Sequence, residues 1–294
     1  MTARKERLFQ LAKSSNAWVW FLTPSLFGVI IFVCVPFLDV IRRSFLTAVT
    51  QEWTGLHNYQ VIFQNQAFQL AVKNTLRFTS VCLPLLLGLG LFLAVQLSRL
   101  RKMQLIKSLF LFPMAMPAAT VVLVWKMVFA RQGFLNLFLN NLHLATQENA
   151  IDYMNTGAAF WVLVFSYVWK NLGYTIVLWL AGIFSIPTDI LDAAKVDGAN
   201  ERQCFWRVVF PNLKGTLYTI TVLSFLNSFK VFREAYLVAG SYPHESMYLL
   251  QHLFNNWFVN LELDKMAAAA VCVGTVLFLA ILLLQRAWDR DGTA

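Results

Sequence analysis

Apolar runs of about 20 residues, the length that crosses a bilayer as a helix, recur along the chain at residues 17–38, 78–97, 109–129, 159–181, 215–238 and 266–284. They predict an all-α membrane protein with six transmembrane helices, forming a single membrane domain over residues 1–294. An even number of crossings places both termini on one side. The first run follows Arg4, Lys5, Arg7 and Lys13 as a signal peptide would. Its apolar part is too long and no small-residue cleavage site follows, so it reads as a retained anchor.

Composition agrees with this pattern. A chain that is 58% hydrophobic, 15% aromatic and only 13% charged has too much apolar surface for one soluble core, and the bilayer supplies the second solvent. The tails and the loops at 99–107 and 182–214 hold fourteen Lys and Arg residues, against six (Arg42, Arg43, Lys73, Arg77, Arg131 and Lys265) in the opposite loops. The positive-inside rule therefore puts both termini and residues 182–214 on the cytoplasmic side, with a local exception in the first external loop. The same rule accounts for the net charge of +9 without nucleic acid. Cys34, Cys82, Cys204 and Cys272 show no close pairing, and His57, His143, His244 and His252 are scattered through external loops. Neither set builds a disulfide framework or a metal site.

No glycine-rich turn ends in Gly-Lys-Ser/Thr, so the chain cannot cradle and hydrolyse ATP alone. Gly88-Leu89-Gly90 lies inside an apolar run and reads as close helix packing. The informative cytoplasmic segment is 186–211, between the fourth and fifth runs, which predicts two short helices. Asp189 is expected to cap the first, with Asp192 favouring the positive end of its dipole. Gly198 supplies the break. Phe205, Val208 and Val209 recur at helical spacing, and Pro211 is expected to close the second helix. An amphipathic surface helix with no partner in its own chain is a docking element.

Asp192-Ala193-Ala194, Gly198-Ala199, Phe205 and Pro211 resemble, in order, spacing and location, the EAA loop of permease subunits from bacterial binding-protein-dependent ATP-binding-cassette importers. The resemblance extends over residues 71–284, and Val168–Tyr174 and Phe232–Tyr236 are similar to the carbohydrate-type branch. It implies a coupling helix that enters a cleft on a separate ATPase, a second permease subunit, two ATPase subunits that bind ATP and Mg, and an external or periplasmic solute-binding protein. No cofactor is implied in this chain. The family's usual first glutamate is Asp192 here, which leaves two roles open: an ion pair to the ATPase, or a carboxylate at a helix start.

Polar groups inside the apolar runs are the second signal. A central Lys costs about 2.5 to 3.5 kcal/mol on insertion scales, far more than one Leu or Phe returns. Lys170 shares a side of its run with Ser166, Asn171 and Tyr174, and Ser224, Asn227, Lys230 and Glu234 form a stripe on the next. Either these stripes line a pathway for a hydroxyl-rich solute, or they pair internally and mediate helix packing. The function implied is a non-enzymatic permease subunit for a sugar or oligosaccharide. The alternatives are another small polar solute such as a glycerol phosphate, or an ion-coupled secondary transporter, which leaves the docking loop unexplained.

Overall fold

The computed structural model describes residues 17–100, 103–144 and 149–291. Among them every regular element is helical, apart from an isolated antiparallel pairing of Leu46 with Trp53. The first apolar run forms α1 (Ala17–Val29) and α2 (Val35–Arg43), joined by a π-helical turn at Ile30–Cys34. The cause is Pro36 in the first turn of α2: its ring crowds the carbonyl four residues back, and the N–H of Val35 bonds Ile30, five residues back. Then come α3 (His57–Gln64) and α4 (Gln66–Ser98), the latter capped by the Asn65 side chain, which accepts from the Phe68 N–H at 3.0 Å.

The third run does not form one helix. It divides into α5 (Met103–Ala115) and α6 (Ala118–Phe129) at Met116–Pro117, because Pro117 has no N–H to continue the ladder and restricts Met116 to extended backbone. After α7 (Phe134–Asn141) comes α8 (Ala159–Phe184), an unbroken helix of 26 residues. The segment after α8 holds α9 (Thr188–Val196), α10 (Glu201–Cys204), a π turn at Phe205–Val209 and α11 (Phe210–Asn212). The fifth run is likewise broken, into α12 (Lys214–Ser228) and α13 (Phe232–Ala239) on either side of a 3-10 turn at Phe229–Val231. The chain ends in α14 (Leu250–Val259) and α15 (Leu263–Asp291).

Five segments among the described residues are long and apolar enough to cross a membrane: Phe21–Arg43, Gln66–Ser98, Ala118–Asn141, Ala159–Phe184 and Leu263–Trp288. The expected run at 215–238 is absent from this set because the break beside Asn227, Lys230, Arg233 and Glu234 leaves two shorter helices. The expected run at 109–129 is replaced by one that starts after the Pro117 break. The basic residues Arg4, Lys5, Arg7, Lys13, Arg101 and Lys102, which carry part of the orientation argument, lie outside the described residues.

Contacts divide the chain into two compact units, one of residues up to Gln64 with Trp257–Ala280, the other of Asn65–Asn256 with the chain from Ile281 onward. In the first, the buried Asn58 amide donates to the carbonyls of Ser44 and Leu46 at 3.0 and 2.9 Å, and Phe45 stacks on Trp53. This fixes the loop that follows α2.

In the second unit α4 and α8 form the central pair. Gly90 makes it possible, since a Cβ there would lie 2.6 Å from Thr175 Cγ2, whereas Gly88 faces open space. On its other side α8 meets α5 at Gly173, where a Cβ would overlap the Phe110 carbonyl. One core joins Phe78, Cys82 and Leu86 of α4 to Phe160, Leu163 and Tyr167 of α8. A second, nearer α9 to α11, joins Trp179 and Leu180 to Leu213 and Ile220. The stretch 245–250 is tied to α4 by polar bonds: the Asn74 amide donates to the Glu245 and Tyr248 carbonyls, and the Leu250 N–H donates to Thr75 Oγ1. These bonds satisfy loop backbone groups where the chain has no ladder.

Candidate functional site

The helix breaks and the polar stripes meet within the second unit. A cavity of about 410 Å³, within the range of small-molecule sites, opens where the α5–α6 break faces α8 and the end of α12. From α8 it is lined by Ser166, Tyr167, Lys170 and Asn171. The break contributes Met114, Met116, Pro117 and Ala118, and the far wall is Asn227, Val231 and Arg233. Four residues expected from the sequence stripes, Ser166, Lys170, Asn171 and Asn227, thus share one space although three short helices and 61 sequence positions separate the first from the last.

The other stripe residues sit elsewhere. Ser224 is buried, with no partner for its hydroxyl, and its carbonyl accepts the Tyr167 hydroxyl at 2.8 Å. Tyr174 does not line the cavity. The side chains of Lys230 and Glu234 lie outside the described ones.

Several lining groups are held in place by packing. Trp125 of α6 donates its indole N–H to Ser166 Oγ at 2.7 Å and meets Phe165 and Trp169 edge-on at 5.4 and 5.3 Å. The Ser166 hydroxyl proton is left to donate. Asn171 gives its amide N–H to the Tyr167 carbonyl at 2.9 Å, which leaves its side-chain oxygen as an acceptor. Lys170 and Arg233 add multidentate donors, and no carboxylate is among the described lining residues. Such a set can hydrogen-bond a polar solute from several sides. No group of three or more His, Cys, Asp and Glu side chains able to hold a metal assembles among the described residues.

Sequence periodicity missed the contribution of Met114, Met116, Pro117 and Ala118. The available signal was the pair Pro113 and Pro117 inside one apolar run, which marks a discontinuous helix of the kind that lines transport sites. Arg233 was masked by its neighbours Lys230 and Glu234 in the same stripe.

The segment from α9 to α11 is built from local chemistry. Pro187, not Asp189, occupies the cap position of α9; Asp189 lies inside the first turn, where its charge still complements the dipole. Asp192 pairs with Lys195 at 2.9 Å, a hydrogen bond that raises the lysine pKa. The helix ends in a Schellman motif, with Ala199 N–H on the Ala194 carbonyl and Gly198 N–H on the Lys195 carbonyl. Gly198 has φ +79°, the left-handed conformation that motif requires.

Asn200 then starts α10 with a capping box, its side chain accepting from the Gln203 N–H while the Gln203 side chain accepts from the Asn200 N–H, both at 2.9 Å. Pro211 does not close this helix. It sits inside α11, and as at Pro36 the preceding residue bonds five back, Phe210 N–H to the Phe205 carbonyl, producing the π turn. Ala193, Ala194 and Ala199 lie beside the turn, and Phe205 and Phe210 both pack against Trp206, which is 56% exposed. Arg99, at the end of α4, reaches Glu201 at 3.0 Å. The segment is anchored to the rest of its unit by Leu213 and Ile186, which are buried in the second core.

Relatives share this architecture. The chain is 27% identical over 227 residues, 75% of its length and 80% of the other, to the osmoprotective compounds uptake permease protein GgtC of Synechocystis. It is 28% identical over 289 residues, 96% of its length and 95% of the other, to the "Probable starch degradation products transport system permease protein AmyD" of Thermoanaerobacterium thermosulfurigenes. A chain of the bacterial alginate ABC transporter, solved in complex with an alginate pentasaccharide-bound periplasmic protein, superposes with a TM-score of 0.80 at 19% identity, covering 96% of this chain and 97% of that one. The family model matches residues 86–291, which include α8, the cavity-lining residues and the short helices α9 to α11, and the chain belongs to the binding-protein-dependent transport system inner membrane component family.

Proposed function

We propose that this multi-pass inner-membrane protein is the permease subunit of an ATP-driven importer for a sugar or oligosaccharide, and that the cavity beside α8 is part of its translocation pathway. The observation that carries the pathway reading is the convergence of Ser166, Lys170, Asn171 and Asn227 on one space behind two helix breaks. Stripes that served only packing would leave no such shared space between the helices. The family supports a transport role, and the resemblance of Val168–Tyr174 to the carbohydrate-type branch, with the starch-product relative, supports a sugar. The osmoprotectant relative favours another small polar solute as the second reading.

In this reading six crossings form one membrane domain, the broken pair α12 and α13 supplying the crossing that no single helix makes, and both termini lie in the cytoplasm. Residues Asp192, Ala193, Ala194, Gly198, Ala199, Phe205 and Pro211 form the coupling segment, which docks on a separate ATPase. A second permease subunit completes the pathway, two ATPases bind ATP and Mg, and an external binding protein delivers solute. Closure of the ATPase pair is transmitted through the docking segment as rigid-body rocking of the helices, a two-state change that both partners bias.

Two substitutions test the pathway. Lys170→Leu and Asn227→Leu should each abolish most uptake in vesicles carrying the whole importer while leaving its assembly intact, because apolar replacements are welcome at packed or lipid-facing positions and harmful in a polar pathway. Normal uptake by both variants would return these residues to packing. Orientation is tested by an impermeant thiol reagent on intact cells: a cysteine at Val49 should react and one at Asn200 should not.

A further inference from the structure

We infer that the groove between α2 and the start of α15 holds a membrane phospholipid with a primary ammonium head group, a phosphatidylethanolamine. The groove belongs wholly to the first unit and has a volume of about 300 Å³. Pro36, Val40 and Arg43 recur at helical spacing along one wall, and Leu263, Met266 and Ala270 along the other, so each helix turns one face to the gap. Small side chains at Ala267 and Ala270 keep it open. The stretches 36–43 and 263–270 each rise about 10 Å along their helices. They are the ends of two segments long and apolar enough to cross a membrane, Phe21–Arg43 and Leu263–Trp288. The groove therefore runs from head-group level about 10 Å into the hydrocarbon. No water fills an apolar gap at that depth, so an acyl chain or another protein helix does.

The mouth of the groove decides between them. Arg43 Nε donates to Asp39 Oδ2 at 2.6 Å, and Arg42 Nη1 lies 3.9 Å from the other oxygen of the same carboxylate. One carboxylate thus faces two guanidiniums, which keep further N–H groups to grip a phosphate. Across the gap, Asp264 lies in the first turn of α15 with no ion pair among the described residues, while its neighbour Lys265 is closed by Glu262 at 3.1 Å. A recess of about 20 Å³ shares Arg43 and Leu263 with the groove and is lined also by Arg42, Thr47, Gln51 and Asp264. It has room for about one water-sized group, which admits an ammonium and excludes a trimethylammonium. Two guanidiniums and two carboxylates balance, as a zwitterion requires, with phosphate on the arginines and ammonium on Asp264. Another helix laid here would cover this charged rim with apolar surface and leave it desolvated, a cost that a lipid head group does not incur.

The test is native mass spectrometry of the importer, purified in detergent, stripped of lipid and titrated separately with phosphatidylethanolamine, phosphatidylglycerol and phosphatidylcholine. One phosphatidylethanolamine per copy of this chain is expected to bind about tenfold more tightly than either competitor, a gap equal to one charge-assisted hydrogen bond. Ala270→Phe, which fills the groove, should abolish that copy while the importer stays assembled. Arg42→Gln and Asp264→Asn change only rim charges, and each should weaken binding about threefold to fivefold, the range of one exposed charge contact. These two variants keep the test decisive if the Phe variant fails to assemble. Equal binding of the three lipids, preference for either competitor, no bound lipid, or a bound copy that withstands Ala270→Phe or both charge substitutions would overturn the inference. So would a cysteine at Ala270 that cross-links to a neighbouring subunit, since a protein helix would then occupy the groove.

Discussion

The docking segment and the cavity are organised in opposite ways. Between Pro187 and Leu213 nearly every stabilising bond joins residues three to five apart: the Schellman bonds at Gly198, the Asn200–Gln203 box, the Asp192–Lys195 pair and the π turn before Pro211. The cavity has the reverse character. Its walls come from α5, α6, α8, α12 and α13, and its groups are placed by contacts across 41 to 57 positions, such as Trp125 with Ser166 and Tyr167 with Ser224. The proposed roles match this difference: a surface that presents one shape to a separate protein benefits from being rigid on its own, and a pathway that opens and closes is better assembled from elements that can shift against one another.

That contrast predicts different failures on mutation. The largest effect is expected at Gly173, where any side chain must displace the α5 backbone at Phe110. Gly173→Leu should cost at least the upper part of the about 1–3 kcal/mol typical of overpacking and separate α5 from α8. The yield of detergent-stable importer should fall sharply, while Gly88→Leu, with nothing within 4 Å of its Cβ, should behave as wild type. Equal yields for the two variants would mean that the α5–α8 approach does not hold the cavity wall.

Gly198 comes next, and the failure there should be functional rather than structural. The position is open, so bulk is not the obstacle; the φ of +79° is. Gly198→Leu should cost about 1–2 kcal/mol in the left-handed conformation, reshape the turn and uncouple uptake from ATP hydrolysis, with membrane insertion near normal. Gly198→Asn, which tolerates that conformation, should recover most of the coupling. ATPase stimulation and uptake in reconstituted vesicles read both, and a fully active Leu variant would remove this turn from the coupling path.

Smaller effects follow around the second short helix. Asn200→Ala removes one half of the capping box, worth about 1 kcal/mol locally, and should lower ATPase affinity modestly, with Asn200→Asp restoring it. Arg99→Gln breaks only an exposed ion pair with Glu201, and exposed pairs contribute little. It should be near neutral in pull-down of the ATPase; a strong defect would show that α4 is wired to the docking segment and that the segment is less self-contained than its bonds indicate.

Most of the helical architecture was legible from hydrophobic run length, because a bilayer forces backbone groups to pair within each segment. The Gly198 break was legible for the same reason that it forms: one residue's conformational freedom decides it. The cap at Asp189 was not, because Pro187 two residues earlier already starts the helix, and Pro211 misled because a π turn can carry a proline inside a helix. Of the polar stripes, periodicity correctly grouped Lys170 with Ser166 and Asn171 on one helix side. It could not separate Ser224, which faces a neighbouring helix, from Asn227, which faces open space, since both lie on the same stripe one turn apart.

Run length, charge distribution and turn residues depend on neighbours along the chain and on a solvent of known thickness, so membrane class, the expected sidedness and the turn at Gly198 can be read from one dimension. The cavity depends on which helices stop short and which approach closely. Pro117 and the Phe229–Val231 turn end two helices beside α8, and Gly90 and Gly173 set how near α4 and α5 come to it. Whether a polar side chain packs or lines a pathway is then settled by the space those approaches leave, and that space belongs to no single stretch of sequence.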